Sequence, residues 1–327
     1  WRTQLAGHTG QLLNGNPAGD ALTGREQRVE FAIAADLTDR LRALARAEGA
    51  TLFMLLLAAW RSWLQRCFAE SDLLIGAPVT LRRDSATANM LGCMVNNVVF
   101  RNPGSTQRSF RELLQAEREA ALAAYEHSTV PFEKIVEAVQ PARTLGRHPL
   151  FQVLFMFEDR SAPPARAGGL RFDSDVLPVD RASYWDLELS VTECGIGKSL
   201  PAFIGIRADL FDADALATWP EGFVAMLEAL ALDPDTTIAQ LPLLSAARQR
   251  QMLDEWNSTH MPVSANQTLH GLFAAQAVRT PANIAVQDAR ETLTYAELRA
   301  RATRYAAVLA GHGVNHGSRV ALSVTRS

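Results

Sequence analysis

From Leu52 to Trp60 the chain reads LFMLLLAAW, a run without a polar side chain, and the helical segment it opens reaches about Cys67. A helix that is apolar on nearly every face has no side to give to water, so it must be enclosed by other elements of a sizeable domain. The run falls well short of the roughly 20 residues needed to cross a bilayer. No secretory leader opens the sequence, so a cytoplasmic protein without a membrane partner is expected. The length of 327 residues allows about two domains. With 32 Lys and Arg against 35 Asp and Glu, the formal charge of -3 provides no broad basic field, and nucleic acid is not an expected partner. Cys67, Cys93 and Cys194 are widely spaced, which supports neither a disulfide framework nor a zinc site, and buried thiols are expected. The start at Trp1 and the stop at Ser327 read as the ends of a piece of something longer.

Around the apolar run, Leu37, Leu41, Leu44 and Ala45 fall at helical spacing, which predicts a packing helix near Asp36 to Glu48 with Gly49 at its C-terminal end. Leu73 to Val79 reads as a short buried strand. Ser109 and Glu112 form an S-x-x-E capping box that starts a long helix from Phe110 to Tyr125. Strands are predicted at Leu150 to Phe157, Trp185 to Thr192 and Leu200 to Ala208. A helix follows from Ala213 to Leu232, in which Pro220 should mark a kink or the first turn. The Ala, Pro and Gly-rich segment from Ala162 to Gly169 reads as a loop. Leu241 to Gln267 reads as a connector with one short helix from Ser245 to about Trp256. Beyond it come short strands at Ala285 to Gln287 and Leu293 to Tyr295, a capping box at Thr294 and Glu297, a helix from Arg299 to His312, and a strand at Val320 to Val324. The mixture indicates an α/β or α+β fold.

GIGKS at Gly195 to Ser199 ends like a phosphate-binding loop. The first glycine of that pattern would fall at Thr192, however, and Pro201 follows where a helix should run on, so a turn between two strands is the better reading. The stretch from His127 to Phe157 fits neither simple amphipathic period. Pro131 can begin a helix with Glu133 against its positive end, which accounts for much of the cluster around His127 without chemistry. Arg143, Arg147 and His148 put three donors before a buried strand, where they could clamp a carboxylate, a phosphate or a backbone turn. Asn96 and Asn97 interrupt an otherwise apolar strand, and their amides need partners if buried, so they are expected to tie two segments together.

Five segments, in order, resemble the C-terminal lobe of the condensation domain of nonribosomal peptide synthetases. They are Trp1-Arg2-x-x-Leu5-Ala6-Gly7, Ile75-Gly76-Ala77-Pro78-Val79, and Leu91-Gly92-x-x-Val95-Asn96 through Arg101. His127-x-x-Val130-Pro131-Phe132-Glu133 and Arg143-x-x-x-Arg147-His148-Pro149-Leu150-Phe151-Gln152 complete the set. The resemblance covers residues 1–244. Residues 245–267 read as a linker, and residues 268–327 resemble the start of an adenylation domain through Leu293-Thr294-Tyr295-Ala296-Glu297-Leu298 and Arg326-Ser327.

The resemblance implies a chloramphenicol-acetyltransferase-like fold in which two lobes form a V and carrier-bound substrates enter a tunnel from opposite faces. The family joins the amine of an acceptor aminoacyl thioester to the carbonyl of a donor thioester, both on phosphopantetheine arms of peptidyl carrier proteins. Its HHxxxDG motif belongs to the N-terminal lobe, and none of the seven histidines here are adjacent. No catalytic residue, cofactor site or metal site is therefore expected in this chain, which alone should be inactive. Asn96, Arg101, His127, Pro131, Phe132, Glu133, Arg143, Arg147, His148, Pro149 and Gln152 are expected to brace the lobe or line its tunnel. The parent would use ATP and magnesium for amino-acid activation, with its remaining condensation lobe and adenylation domain in cis. Ser128-Thr129 replaces the usual Gln-Asp, and Asn97 the usual Thr. Two other readings stay open: a freestanding acyltransferase with His127 as base, and a noncatalytic carrier-protein docking module.

Overall fold

A short helix, α1 (Arg2–Leu5), opens the chain, and β1 (Glu26–Ile33), α2 (Ala35–Ala47) and α3 (Leu52–Phe68) follow. The computed structural model describes all residues except 9–23, 83, 89, 142–146, 162–165, 168–169, 172–182, 262–267, 289 and 325–327. The described residues form two compact units, Trp1–Glu255 and Trp256–Ser327. Thr51 starts α3 by accepting a hydrogen bond from the Met54 amide at 3.2 Å, and Ala69 ends it in the left-handed region. Twelve successive residues between these ends, Met54 to Gln65, are buried, so the enclosure required by the apolar run is met.

The first unit continues through β2 (Leu74–Thr80), α4 (Ser85–Ala88), β3 (Val95–Arg101), α5 (Phe110–Glu126), α6 (Phe132–Val139) and β4 (Val153–Asp159). A two-residue ladder joins β5 (Arg166–Ala167) to β6 (Leu170–Arg171), and β7 (Leu187–Glu193), β8 (Leu200–Arg207), α7 (Ala213–Leu232) and α8 (Ala246–Arg250) complete it. Six strands make one sheet in the order β1-β8-β7-β4-β2-β3. The pairs β2–β4 and β4–β7 are parallel, and the outer pairs are antiparallel. Helices α2, α3, α5 and α7 share one apolar core with Phe155, Val191 and Ile204 from the sheet. On the opposite face, Leu5 of α1 and Phe132, Ile135 and Val136 of α6 form a smaller core with Leu74, Val99 and Leu154.

Local signals explain most boundaries. Both halves of the capping box at Ser109 and Glu112 are formed, and α5 runs from Phe110 as expected. Residues 194–199 turn between antiparallel β7 and β8, with Gly195 and Gly197 at φ 107° and 71°, so GIGKS is a hairpin turn. Pro220 lies inside α7 rather than in its first turn. The predicted strand at Leu150 begins only at Val153, because the Phe151 amide donates to His148 Nδ1 and is withdrawn from any ladder. The buried-thiol expectation also fails: Cys67 and Cys93 are exposed and Cys194 is half-buried. Cys67 falls on the last turn of α3, past the enclosed residues.

In the second unit, α9 (Leu269–Arg279) and α10 (Tyr295–Gly311) accompany the antiparallel pair β9 (Ile284–Gln287) and β10 (Thr292–Thr294). The capping box at Thr294 and Glu297 is complete, so the helix starts four residues before the predicted Arg299. No strand forms at Val320 to Val324, where the described residues have no partner strand to bond. Ala277 is the one buried hydrophobic residue among the described residues of this unit.

Candidate functional site

Residues from distant segments converge on the β2–β3–β4 end of the sheet. The Asn96 side chain donates to the carbonyls of Ser128 and Val130 at 2.8 and 2.7 Å and accepts from the Phe132 amide at 3.1 Å. One amide thus satisfies three backbone groups of the loop between α5 and α6 and holds the entry to α6. Pro131 is the N-cap of α6, one position before the predicted N1, and exposed Glu133 sits in its first turn. His127 ends α5 and is exposed. Its carbonyl accepts the Trp1 indole N–H at 3.4 Å, and no hydrogen bond or ion pair of the described structure engages its ring. A general base needs an orienting partner, so this geometry does not favour His127 in that role.

At the other end of β3, Arg101 grips both carboxylate oxygens of Asp72 at 2.9 and 2.7 Å and donates to the carbonyls of Gln4 and Ala6 at 2.8 Å each. This fork ties α1 to the sheet edge, and it holds the Asp72 carboxyl below the usual carboxylate range. Gly7 then turns the chain at φ 72°.

The Arg147-to-Gln152 segment is an aromatic and charged brace. His148 packs against Phe151, Trp185 and Phe132 at ring-centroid distances of 4.0, 4.6 and 5.0 Å. Burial among these rings pulls its pKa down to about 4, and the Phe151 amide donation requires an unprotonated Nδ1, so the ring is a neutral packing element. Phe151 also lies where a side chain on Gly76 would go: a Cβ there would come within 2.0 Å of the Phe151 ring. Gln152 donates to the His148 carbonyl at 3.1 Å, while its own carbonyl accepts from the amides of Asp186 and Leu187. Pro149 is half-buried in this turn, and Arg143 lies outside the described residues.

Arg147 meets Asp186 at 3.1 Å, and Arg207 joins the same carboxylate at 3.4 Å and Asp209 at 3.0 Å. The carboxylate that Arg147 clamps therefore belongs to the protein itself. Burial pushes the Asp186 carboxyl up, while the two guanidinium groups pull it back. A second buried pair, Arg61 with Glu117 at 2.7 Å, is fully enclosed beneath the helical layer. Arg61 also donates to the carbonyls of Leu73 and Phe100, and Asn102 donates to Glu117. Neither Asp186 nor this second pair was legible in sequence, where single charges in strands and helices carry no mark of their distant partners.

Beside the brace, the described residues leave part of the sheet face uncovered. A cavity of about 610 Å³ is lined by Leu154, Met156, Trp185 and Phe203, with Glu26, Arg28, Glu158, Arg160 and Glu188 around it. Gly205 lies in register between Arg28 and Glu188, so the row across β1, β8 and β7 has no side chain at its middle. An apolar floor with charged margins suits a polar chain carrying an apolar group.

Solved structures of condensation-type domains share this fold. The X-domain from teicoplanin biosynthesis superposes with a TM-score of 0.67 at 28% identity, covering 75% of this chain and 56% of that one. The same X-domain is solved in complex with OxyB. A four-domain nonribosomal peptide synthetase, holo-AB3403 bound to AMP and glycine, superposes at 0.72 with 22% identity over 95% of this chain and 24% of that one. In sequence, a linear gramicidin synthase protein from Brevibacillus parabrevis is 35% identical over 329 aligned positions, covering 100% of this chain but 6% of that protein. The Condensation domain profile matches residues 1–253, and the profile of AMP-binding enzymes matches residues 273–327. The chain belongs to the condensation-domain family of nonribosomal peptide synthetases and carries the start of an AMP-binding region.

Proposed function

We propose that this chain forms one lobe of an amide-forming condensation site, and that the open sheet face beside Trp185 is one wall of its substrate tunnel. In the parent reaction, the acceptor amine attacks the donor thioester carbonyl. A C–N bond forms, the C–S bond breaks, and the donor phosphopantetheine leaves as a thiol while the amine gives up a proton. Donor and acceptor peptidyl carrier proteins bring the two thioesters. The observation that carries this reading is the family match across residues 1–253, combined with a cavity lined by Trp185, which packs against the family-motif residue His148. Trp185, which lines the cavity, stacks on Phe151 at 5.1 Å, so Phe151 and His148 hold the wall in place.

Amino-acid activation with ATP and magnesium is assigned to the parent. Residues 268–327 do not fit the nucleotide: both lysines of the chain, Lys134 and Lys198, lie outside this stretch, and its described residues bring no three metal-ligating side chains together. No step of activation is derived for this chain. Residues 1–244 are taken as the condensation lobe, 245–267 as the linker and 268–327 as the adenylation start. The test is a carrier-protein assay with both thioesters loaded, comparing the parent with this chain. Amide product from the parent alone is expected; product from the isolated chain at a rate near the parent's would overturn the division of labour.

The solved X-domain complex with OxyB favours a second reading, a noncatalytic docking lobe. That reading requires a parent without HHxxxDG that forms no amide yet still binds a partner through this lobe.

A further inference from the structure

Among the acidic side chains of the cavity beside Trp185, Glu26 is the one set over a gap in the floor. Its Oε1 stands 3.0 Å from the place a Cβ on Gly205 would take, so the carboxylate leans into the space that the glycine leaves. The Cβ of Glu188, the register partner of Gly205 on β7, lies 3.8 Å from the same point. The two guanidinium groups of the lining are committed elsewhere. Arg28 leans along β1 to Glu30 at 3.2 Å and over the Phe203 ring, away from Glu26, and Arg160 pairs with Glu158 at 2.8 Å. Glu26 has no ion pair or hydrogen bond among the described residues. A carboxylate held over a glycine beside a second acidic residue is a seat for a cation.

A second group, independent of the charges, also asks for an occupant. Ser190 is only 8% exposed, yet it lines both this cavity and the adjoining one of about 420 Å³. Its neighbours in register are Met156 on β4 and Phe203 on β8, so its hydroxyl stands between two apolar side chains. No hydrogen bond of the described structure uses that hydroxyl, and a polar group so enclosed needs one. Ser190 and Glu188 fall on the same face of β7, about 7 Å apart along the strand. The cavity therefore offers a hydrogen bond at Ser190, an apolar stretch, and the Glu26 carboxylate roughly one long side chain away.

We infer that this cavity selects a thioester substrate whose acyl part carries a long basic side chain, of the lysine class, with its ammonium group at Glu26, its aliphatic stem along the apolar floor and an amide of the chain on Ser190. The inference rests on the condensation reading above and deepens it from a reaction to a substrate class.

The test offers the parent protein carrier-bound thioesters of lysine, norleucine and glutamate in competition, first as Nα-acetyl donors and then as acceptors with free α-amines. Norleucine keeps the lysine stem and lacks its charge. At one of the two positions the lysyl thioester is used about tenfold faster than the other two, and Glu26→Gln brings the lysyl-to-norleucyl ratio below about threefold. Ser190→Ala slows both substrates alike and leaves their ratio unchanged. Absence of a lysyl preference at either position, or a preference that Glu26→Gln leaves intact, would overturn the inference. A parent that forms no amide from any of these thioesters refutes the condensation reading instead. The subsite is then decided by titrating this chain with Nα-acetyl-lysine methylamide and following the amide resonance of Gly205. Weaker binding to Glu26→Gln than to the wild type supports it, whereas equal binding to the two proteins overturns it.

Discussion

On one face of the six-stranded sheet, Phe155, Val191 and Ile204 point into a helical layer where the enclosed charges, Arg61 and Glu117, are paired with each other. On the other, Met156, Ser190, Phe203 and Arg28 face a cavity of about 610 Å³, and a brace of Phe151, His148 and Trp185 stands at its border. The first face holds the lobe together by excluding water from a continuous apolar layer. On the second, the described residues leave a cavity, and the fixed arrangement of a few residues at its edge shapes it. Many substitutions should weaken the first face gradually, whereas the second depends on particular contacts. The family-motif segments reach both faces: Ile75, Ala77, Val98 and Phe100 join the helical core, while Phe132, Leu150 and Phe151 pack on the other side.

The sharpest way to break this contrast is at the buried pair. Glu117→Gln leaves the Arg61 guanidinium enclosed without its counter-charge, which should cost about 3–5 kcal/mol in denaturant unfolding. A loss below about 1 kcal/mol would mean that the helical layer admits water. Next in size is Gly76→Ala, which drives a methyl group into the Phe151 ring and should cost roughly 1–3 kcal/mol. Phe151→Leu should recover part of that loss in a double-mutant cycle. Additive effects would show that the strand glycine and the brace do not meet.

A smaller effect separates the two faces by pH. The His148 imidazole has its pKa lowered to about 4, against an ordinary value of about 6.5 in the unfolded chain. The native state therefore binds fewer protons between these values, so the stability contribution is complete above about pH 6.5 and is lost as pH falls toward 4. His148→Gln should flatten the melting-temperature profile in that window. Asp186, raised by burial, works in the opposite sense, and both proteins share it, so the difference between the two profiles isolates the imidazole.

How much of this was legible in sequence follows the range of each signal. Capping boxes at Ser109 and Thr294 are local, and both helices start where those residues stand. The doublet Asn96-Asn97 announced amides in need of partners, and Asn96 found three. The partners of Arg147 were not legible. Asp186 lies 39 positions away, and only the parallel pairing of β4 with β7 brings the two together. Cys67 misled because burial is a property of a helix face: the enclosure of α3 ends before its final turn. A strand at Val320 to Val324 needed a neighbour, and apolar alternation alone does not supply one.

The smallest stability effect should come from the open face itself, and it is the most informative about function. Arg28 sits over Phe203 at 5.3 Å and reaches Glu30 at 3.2 Å, both partly solvated contacts. Arg28→Ala should therefore shift unfolding by no more than about 0.5–1 kcal/mol. If this face is a tunnel wall, the same substitution in the parent protein should lower amide formation several-fold while melting hardly moves. The helical face predicts the reverse, because Glu117→Gln should lower turnover only as far as it lowers the folded fraction. Equal turnover for wild type and Arg28→Ala would remove Arg28 and its row with Gly205 and Glu188 from the substrate path, and leave the cavity near Trp185 as the part still in question.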